Sequence, residues 1–229
     1  MSKIVSFYSS PVGKKALMAV TGIALFGFVL VHMLGNLKIY QGAEALNKYA
    51  EFLRDFGKPL LPRSGLLWIF RAALVAAVGL HILAATQLTL LSRRARPEAY
   101  KRRDRVVATY ASRTMRWGGV IVLLFVVYHL AHLTFGWAWA HPQFVHGDVY
   151  QNVVTGFGVW WVALFYIVAN LMLGLHLYHG LWSMFQSLGW HVAANPHDWR
   201  QRFAQAFALV ITIGNLSFPL SVLTGIVGR

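Results

Sequence analysis

The sequence predicts an all-α fold, an integral membrane bundle of five transmembrane helices, and three observations support that prediction. Of the 229 residues, 57% are hydrophobic and only 12% are charged, whereas about a quarter of the residues of a soluble domain are charged. Five windows without charge are long enough for the roughly 20 apolar residues that cross a bilayer. The charges cluster between these windows. Because lipid offers backbone groups no hydrogen-bond partners, the spans must be helical.

The uncharged windows predict where each helix lies. The first span follows two lysines, as a signal peptide does, but the apolar run Ala16–Leu37 is too long for a signal-peptide core, so we expect it to be retained. The third and fourth windows exceed one span, so part of each is expected to be a loop or an interfacial helix. We predict one domain covering 1–229, with helices at about 14–37, 65–92, 113–138, 156–189 and 202–227.

The distribution of basic residues predicts the orientation. Residues 92–116 are rich in arginine and lysine, residues 190–202 add two arginines, and residues 139–155 contain neither type. The positive-inside rule then places the N-terminus and both basic loops in the cytoplasm, as in a bacterial inner membrane. Against the rule, the outward-facing loop 38–64 carries five basic and three acidic residues. Since the net charge of +14 is grouped between spans, it indicates topology or contact with anionic lipid, and we expect no nucleic acid.

Four of the five predicted spans carry histidine within apolar sequence. Imidazole is costly in hydrocarbon and rare there without a partner. Allowing for helix direction and a rise of about 1.5 Å per residue, the histidines of spans one and three fall in the outer half of the membrane, and those of spans two and four in the inner half. Such layering suits two b-type haems, each bound axially by two imidazoles and therefore limited to electron transfer. The histidines are His32, His81, His129 with His132, and His176 with His179.

Histidine placement alone leaves alternatives open. An intramembrane histidine can bond to a neighbouring carbonyl or hydroxyl, and several can relay protons in a haem-free transporter or channel. A relay normally includes Asp or Glu, and none of the five predicted spans contains either. Residues three apart differ by about 4.5 Å along the helix, so depth does not separate His129 from His132. Counting from the span ends pairs His81 with His179 rather than His176.

Motifs around these histidines extend over nearly the whole chain. They are Thr21-Gly22 before His32, GAEA at 42–45 with Asn47, His81 itself, Phe125-Val126 before His129, and His176 followed by GLWS at 180–183 and Gly189-Trp190. Together they resemble the cytochrome b membrane anchor of succinate:quinone oxidoreductases, the succinate dehydrogenases and fumarate reductases. The resemblance is to the single-subunit, five-helix, two-haem type. The cytochrome b anchor of a hydrogenase or formate dehydrogenase is the alternative family.

The resemblance implies a ligand set. His32 and His129 would be the axial ligands of the outer haem iron, and His81 and His176 those of the inner one. The resemblance leaves His132 and His179 as neighbours of the ligands or of the haem propionates. For the propionates themselves we expect two arginines at span ends, although arginine also reaches the interface without any cofactor. They are Arg71, at the outer end of span two, and Arg113, at the inner end of span three.

The resemblance also implies partners. A flavoprotein subunit of the tricarboxylic acid cycle would oxidise succinate, and an iron–sulfur subunit would carry the electrons, both docked on the cytoplasmic face. This chain would anchor them and react with a quinone, by resemblance menaquinone; a higher oligomer of the complex is compatible with that role. The chain itself has no flavin fingerprint and no carboxylate-binding domain, so we expect no catalytic residue for succinate in it, and without cysteine it cannot bind an iron–sulfur cluster through thiolates. Polar residues leave the quinone site open between the outer end (Asn36, Tyr40, Gln41) and the inner end (Lys15, Arg113, Trp117).

Overall fold

The computed structural model describes residues 7–95, 110–190 and 198–228, with the side chains of 110–114 excluded. The helices are α1 Pro11–Asn36, α2 Ala43–Asp55, α3 Gly65–Arg94, α4 Tyr110–Leu130, α5 Val149–Gly158, α6 Trp160–Ser187 and α7 Trp199–Leu223. Helix α1 continues as a 3₁₀ turn, Leu37–Gln41, and α4 continues as a π-helical turn, Ala131–Phe135.

Five segments are long and apolar enough to cross a membrane, and no strand occurs in the described ranges. The predicted all-α fold with five transmembrane helices is therefore confirmed. Helices α2 and α5 are shorter and connect spans one to two and three to four. The five segments are Pro11–Gln41, Gly65–Arg94, Met115–Phe135, Trp160–Ser187 and Trp199–Leu223.

The predicted fourth span, 156–189, is in fact divided between two helices. Val159 has an extended backbone, with φ −83° and ψ 104°, and separates α5 from α6. Gly156 and Gly158 precede it, and glycine is a weak helix former. The first span begins at Pro11, earlier than predicted, because Ser10 caps the helix by accepting a hydrogen bond from the Gly13 N–H at 3.0 Å.

The spans pack in a specific order. Helix α1 packs along α3, α4 along α6, and α6 along α7, while α1 also touches α6 and α7. Within the described residues, α1 and α4 do not pack along one another, and neither do α3 and α6. The spans therefore form two groups. One contains α1 and α3, the other contains α4, α6 and α7, and the two groups meet mainly where α1 contacts α6. The core that joins them includes Met33, Phe157, Val162, Tyr166 and Ile211.

A polar clamp joins α2 to the start of α5 outside the spans. The Asn47 amide donates to Asp148 Oδ1 at 3.0 Å, and the Tyr150 N–H donates to Asn47 Oδ1 at 3.1 Å. Asp148 also caps α5 by accepting from the Gln151 N–H at 2.9 Å. The Gln151 N–H and then the Asn47 amide stabilise the carboxylate, which lowers the pKa of Asp148. Asn47 therefore ties the two connecting helices together.

We predict that Asn47→Ala lowers the free energy of unfolding by about 1–2 kcal/mol, because two hydrogen bonds are lost together. Since the pKa of Asp148 is lowered on folding, its stabilisation is present at neutral pH and is lost on acidification below about pH 4. Thermal unfolding of the purified protein at several pH values measures both effects. Lys48→Ala is the control, because Lys48 lies in the same helix and forms an exposed ion pair with Glu44, which contributes little to stability. Equal melting temperatures for the two variants would contradict the role of the clamp.

Candidate functional site

The structure brings the intramembrane histidines together in two pairs. The ring centroids of His32 on α1 and His129 on α4 lie 5.9 Å apart, at an interplanar angle of 90°. Those of His81 on α3 and His176 on α6 lie 6.4 Å apart, at 61°. Each pair connects two helices that do not otherwise pack along one another. We call His32 and His129 the outer pair and His81 and His176 the inner pair.

The two pairs lie at different levels of the bundle. Thr21 Oγ1 is 3.2 Å from His81 Nδ1, so the inner pair lies level with Thr21, eleven residues or about 16 Å before His32 on α1. The Tyr166 hydroxyl is 3.3 Å from His129 Nδ1, so the outer pair lies level with Tyr166, ten residues or about 15 Å before His176 on α6. Two independent helices thus give the same separation.

The spacing within each pair suits a single iron ion between two imidazoles. An imidazole nitrogen binds a first-row metal ion at about 2 Å, so two rings bound from opposite sides have centres about 6 Å apart. Both observed separations are close to that value. No group of three or more metal-ligating side chains occurs among the described residues. Two imidazoles match the two axial positions of a haem iron.

The surroundings of the inner pair also fit a bound group. His176 Nδ1 is buried and has no hydrogen-bond partner in the described part of the chain. A Cβ placed on Gly22 would lie 3.6 Å from His81 Cε1, and one on Gly119 would lie 3.5 Å from His176 Cε1. The inner imidazoles therefore lie against glycine backbone, without a competing side chain at those points. A buried ring nitrogen without a partner is costly, so hydrogen bonding within the described part of the bundle does not account for His176 at this position.

His132 lies beside the outer pair but is directed elsewhere. Its Nδ1 is 2.9 Å from the Tyr166 hydroxyl, and its ring stacks on that of His141 at 4.8 Å. Only 1% of His132 is exposed. His141 in turn donates from Nε2 to the Asn152 carbonyl at 2.9 Å. His132 is thus enclosed by α5, α6 and the loop before α5, with its Nδ1 already engaged.

The remaining residues predicted to lie near the haems make few contacts or lie outside the described residues. His179 lies one turn beyond His176, half-buried, and makes no hydrogen bond or ring contact with the described residues. Arg71 is exposed on α3, with its guanidinium 4.8 Å from the centre of the Trp68 ring. It lies ten residues, or about 15 Å, before His81, and therefore near the level of the outer pair. The Arg113 side chain lies outside the described residues.

Sequence reasoning missed two hydroxyl groups at the site. Thr21 was part of a motif but was given no role, and Tyr166 was not singled out. The available signal for Tyr166 was its place inside an apolar span, because a buried tyrosine hydroxyl usually has a hydrogen-bond partner. His141 was also missed, since it lies in a loop and becomes buried through tertiary contacts, among them those with His132 and Asn152.

We predict that Gly156→Ala lowers the free energy of unfolding by about 1–3 kcal/mol through overpacking. Its new Cβ would lie 2.7 Å from Cε1 and Nε2 of His132 and 3.3 Å from Nε2 of His141. Gly158→Ala is the matched control in the same helix, where a Cβ meets nothing within 4 Å, and is expected to be neutral or stabilising by up to about 1 kcal/mol. Thermal unfolding compares them, and equal stability would show that α5 does not confine His132.

Comparison with known proteins agrees with this architecture. The family model of the succinate dehydrogenase/fumarate reductase transmembrane subunit matches residues 92–215, slightly more than half of the chain. The match contains His129, Tyr166 and His176, while His32 and His81 precede it. No curated protein and no solved structure matches the chain. With its five apolar helices, the chain is a multi-pass membrane protein, and it belongs to the succinate dehydrogenase/fumarate reductase transmembrane subunit family.

Proposed function

We propose that this chain is the quinone-reactive cytochrome b anchor of a succinate:quinone oxidoreductase, of the single-subunit, two-haem type. It would form one transmembrane domain and transfer electrons between an iron–sulfur subunit and a membrane quinone. The observation that carries the proposal is the presence of two histidine pairs, with centroids 5.9 and 6.4 Å apart, at two levels of a bundle of this family. The family match favours this function over a hydrogenase-type anchor or a haem-free transporter.

The chain's residues would hold the two haems as follows. His32 and His129 would occupy the axial positions of the outer one, and His81 and His176 those of the inner one. A haem bound in this way supplies one-electron transfer, because no axial position is left for oxygen chemistry. The apolar helices exclude water from both sites, and burial together with hydrogen bonds to the imidazoles sets each potential.

Two features support docking of the flavoprotein and iron–sulfur subunits on the face where α1 begins. Arg93 and Arg94 end α3 there, and Arg200 and Arg202 begin α7 on the same side. On the opposite face, the exposed acidic residues of α2 are engaged in ion pairs, as in the contact of Arg54 with Glu51. The basic face is cytoplasmic under the positive-inside rule, in a bacterial inner membrane. The inner pair lies nearer to it than the outer pair.

The proposed quinone is menaquinone, on the strength of the resemblance. Polar groups occur at both ends of the bundle. At the outer end the Tyr40 hydroxyl donates to Ser217 Oγ at 2.7 Å, and at the inner end the Tyr8 hydroxyl donates to Gln87 Oε1 at 3.0 Å. Quinone carbonyls accept hydrogen bonds, and either hydroxyl would donate to one by turning its single hydrogen away from its present partner. Quinone titration of Tyr40→Phe and Tyr8→Phe complexes would distinguish the two ends.

The direct test of the proposal is the haem content of the intact complex purified in mild detergent. A pyridine haemochrome assay should give two b haems per copy of this chain, and a flavoprotein and an iron–sulfur protein should purify with it. Absence of haem would overturn the proposal and leave a transporter-like function. Haem together with hydrogenase or formate dehydrogenase subunits would instead assign the chain to the other class of anchor.

We predict that His176→Ala removes the absorbance of one haem while the protein still inserts into the membrane, because one axial ligand of the inner site is lost. His179→Ala is the matched control, one turn away on α6, and should retain both haems. Difference spectra of reduced and oxidised membranes measure the result. If His179→Ala loses a haem and His176→Ala retains both, the ligand is His179.

A further inference from the structure

Each histidine pair contains one imidazole whose Nδ1 contacts a hydroxyl from a neighbouring helix. In the inner pair, the Nδ1 of His81 on α3 contacts Thr21 on α1. In the outer pair, the Nδ1 of His129 on α4 contacts Tyr166 on α6. For neither His32 nor His176 do the described residues provide such a hydroxyl. The arrangement therefore occurs once at each level.

The direction of the hydrogen bond at Thr21 follows from its other contacts. The Thr21 hydroxyl has one hydrogen, which it donates to the Leu17 carbonyl at 2.8 Å or to the Met18 carbonyl at 3.1 Å. Its oxygen is therefore an acceptor towards His81, whose Nδ1 must carry the proton. In neutral imidazole only one nitrogen is protonated. Nε2 of His81 then has a free lone pair for a metal ion.

The Tyr166 hydroxyl lies between two imidazoles. Its oxygen is 2.9 Å from His132 Nδ1 and 3.3 Å from His129 Nδ1. Its single hydrogen can be donated to only one of them, and the shorter contact is with His132. His129 then donates from Nδ1–H to Tyr166, and its Nε2 is free to bind metal. The opposite arrangement would place the proton on His129 Nε2 and prevent coordination.

We propose that Thr21 and Tyr166 are positioning residues, each of which fixes the tautomer and orientation of one axial ligand and sets the potential of one site. His132 has the related task of accepting the hydrogen of Tyr166. This inference rests on the proposed function, because it assigns roles to residues around the two haem sites.

The arrangement crosses between the two levels. Helix α1 contributes His32 to the outer site and Thr21 to the ligand of the inner site. Helix α6 contributes His176 to the inner site and Tyr166 to the ligand of the outer site. Since α1 and α6 are in contact, the two central helices each supply one ligand and one hydroxyl. The outlying helices α3 and α4 supply His81 and His129, the two ligands whose Nδ1 atoms contact these hydroxyls.

The sign of the effect on the potentials follows from electrostatics. A hydrogen bond from Nδ1–H to an oxygen makes the imidazole more basic, so it stabilises the oxidised iron more than the reduced iron. Loss of the acceptor should therefore raise the potential. A single hydrogen bond corresponds to about a threefold to tenfold change in the equilibrium, which is about 30–60 mV for one electron.

The test is a redox titration of the intact complex, monitored by optical absorbance and by electron paramagnetic resonance. Thr21→Val should raise the potential of the inner site and leave the outer site unchanged, and Thr21→Ser should restore the wild-type value. Tyr166→Phe should raise the potential of the outer site alone. Variants His32→Ala and His81→Ala, each lacking one haem, assign the two potentials.

Two controls remove a hydroxyl that touches no imidazole. Thr212 donates to the Ala208 carbonyl and Ser221 to the Phe218 carbonyl, both within α7. Thr212→Val and Ser221→Ala should keep both potentials. Unchanged potentials in Thr21→Val or in Tyr166→Phe, or equal shifts in the controls, would overturn the inference.

If the Tyr166→Phe complex does not assemble, the potentials of Thr21→Val and Thr21→Ser alone decide whether the inference holds. Failure of the inference is also distinct from failure of the proposed function. The latter would appear as missing haem in the wild-type complex, before any variant is measured.

Discussion

The structure depends on the need of each buried imidazole nitrogen for a partner. An apolar bundle offers few hydrogen-bond partners, and an unpaired polar group there is costly. At His81 and His129 a hydroxyl engages Nδ1 and leaves the second nitrogen available, while His176 has a buried Nδ1 without a partner in the described residues. A structural histidine would be expected to satisfy itself within the protein. These side chains instead meet in pairs at the distance that a shared metal ion requires, which is why we infer ligation.

Helix packing makes these meetings possible. Because α1 lies along α3 and α4 along α6, the helices that share a pair are held near one another without packing directly. Gly22 and Gly119 place backbone, not a side chain, against the inner imidazoles. The outer level is closed differently, by the buried group of His132, Tyr166 and His141, which α5 confines. The two histidine pairs therefore differ in surroundings, and if each binds a haem as proposed, the two potentials are expected to differ.

Hydropathy was sufficient to predict the five spans, because lipid leaves a long apolar segment no alternative to a helix. The break at Val159 and the π-helical turn Ala131–Phe135 were not predicted, since both depend on local backbone geometry within continuous apolar sequence. Depth predicted the two levels, but it could not decide between histidines three residues apart. That choice depends on the rotation of each helix about its axis, which packing sets. Tyr166 was overlooked for the same reason, because its role exists only when α6 faces α4.

The most direct test of the central claim is a cryo-electron microscopy map of the intact complex. The account predicts one macrocycle between His32 and His129 and another between His81 and His176, with each imidazole bound through Nε2. It also predicts that the Thr21 hydroxyl lies within hydrogen-bond distance of His81 Nδ1, and the Tyr166 hydroxyl within that distance of His129 Nδ1. A map in which these four imidazoles contact only protein groups, with no macrocycle between them, would contradict it.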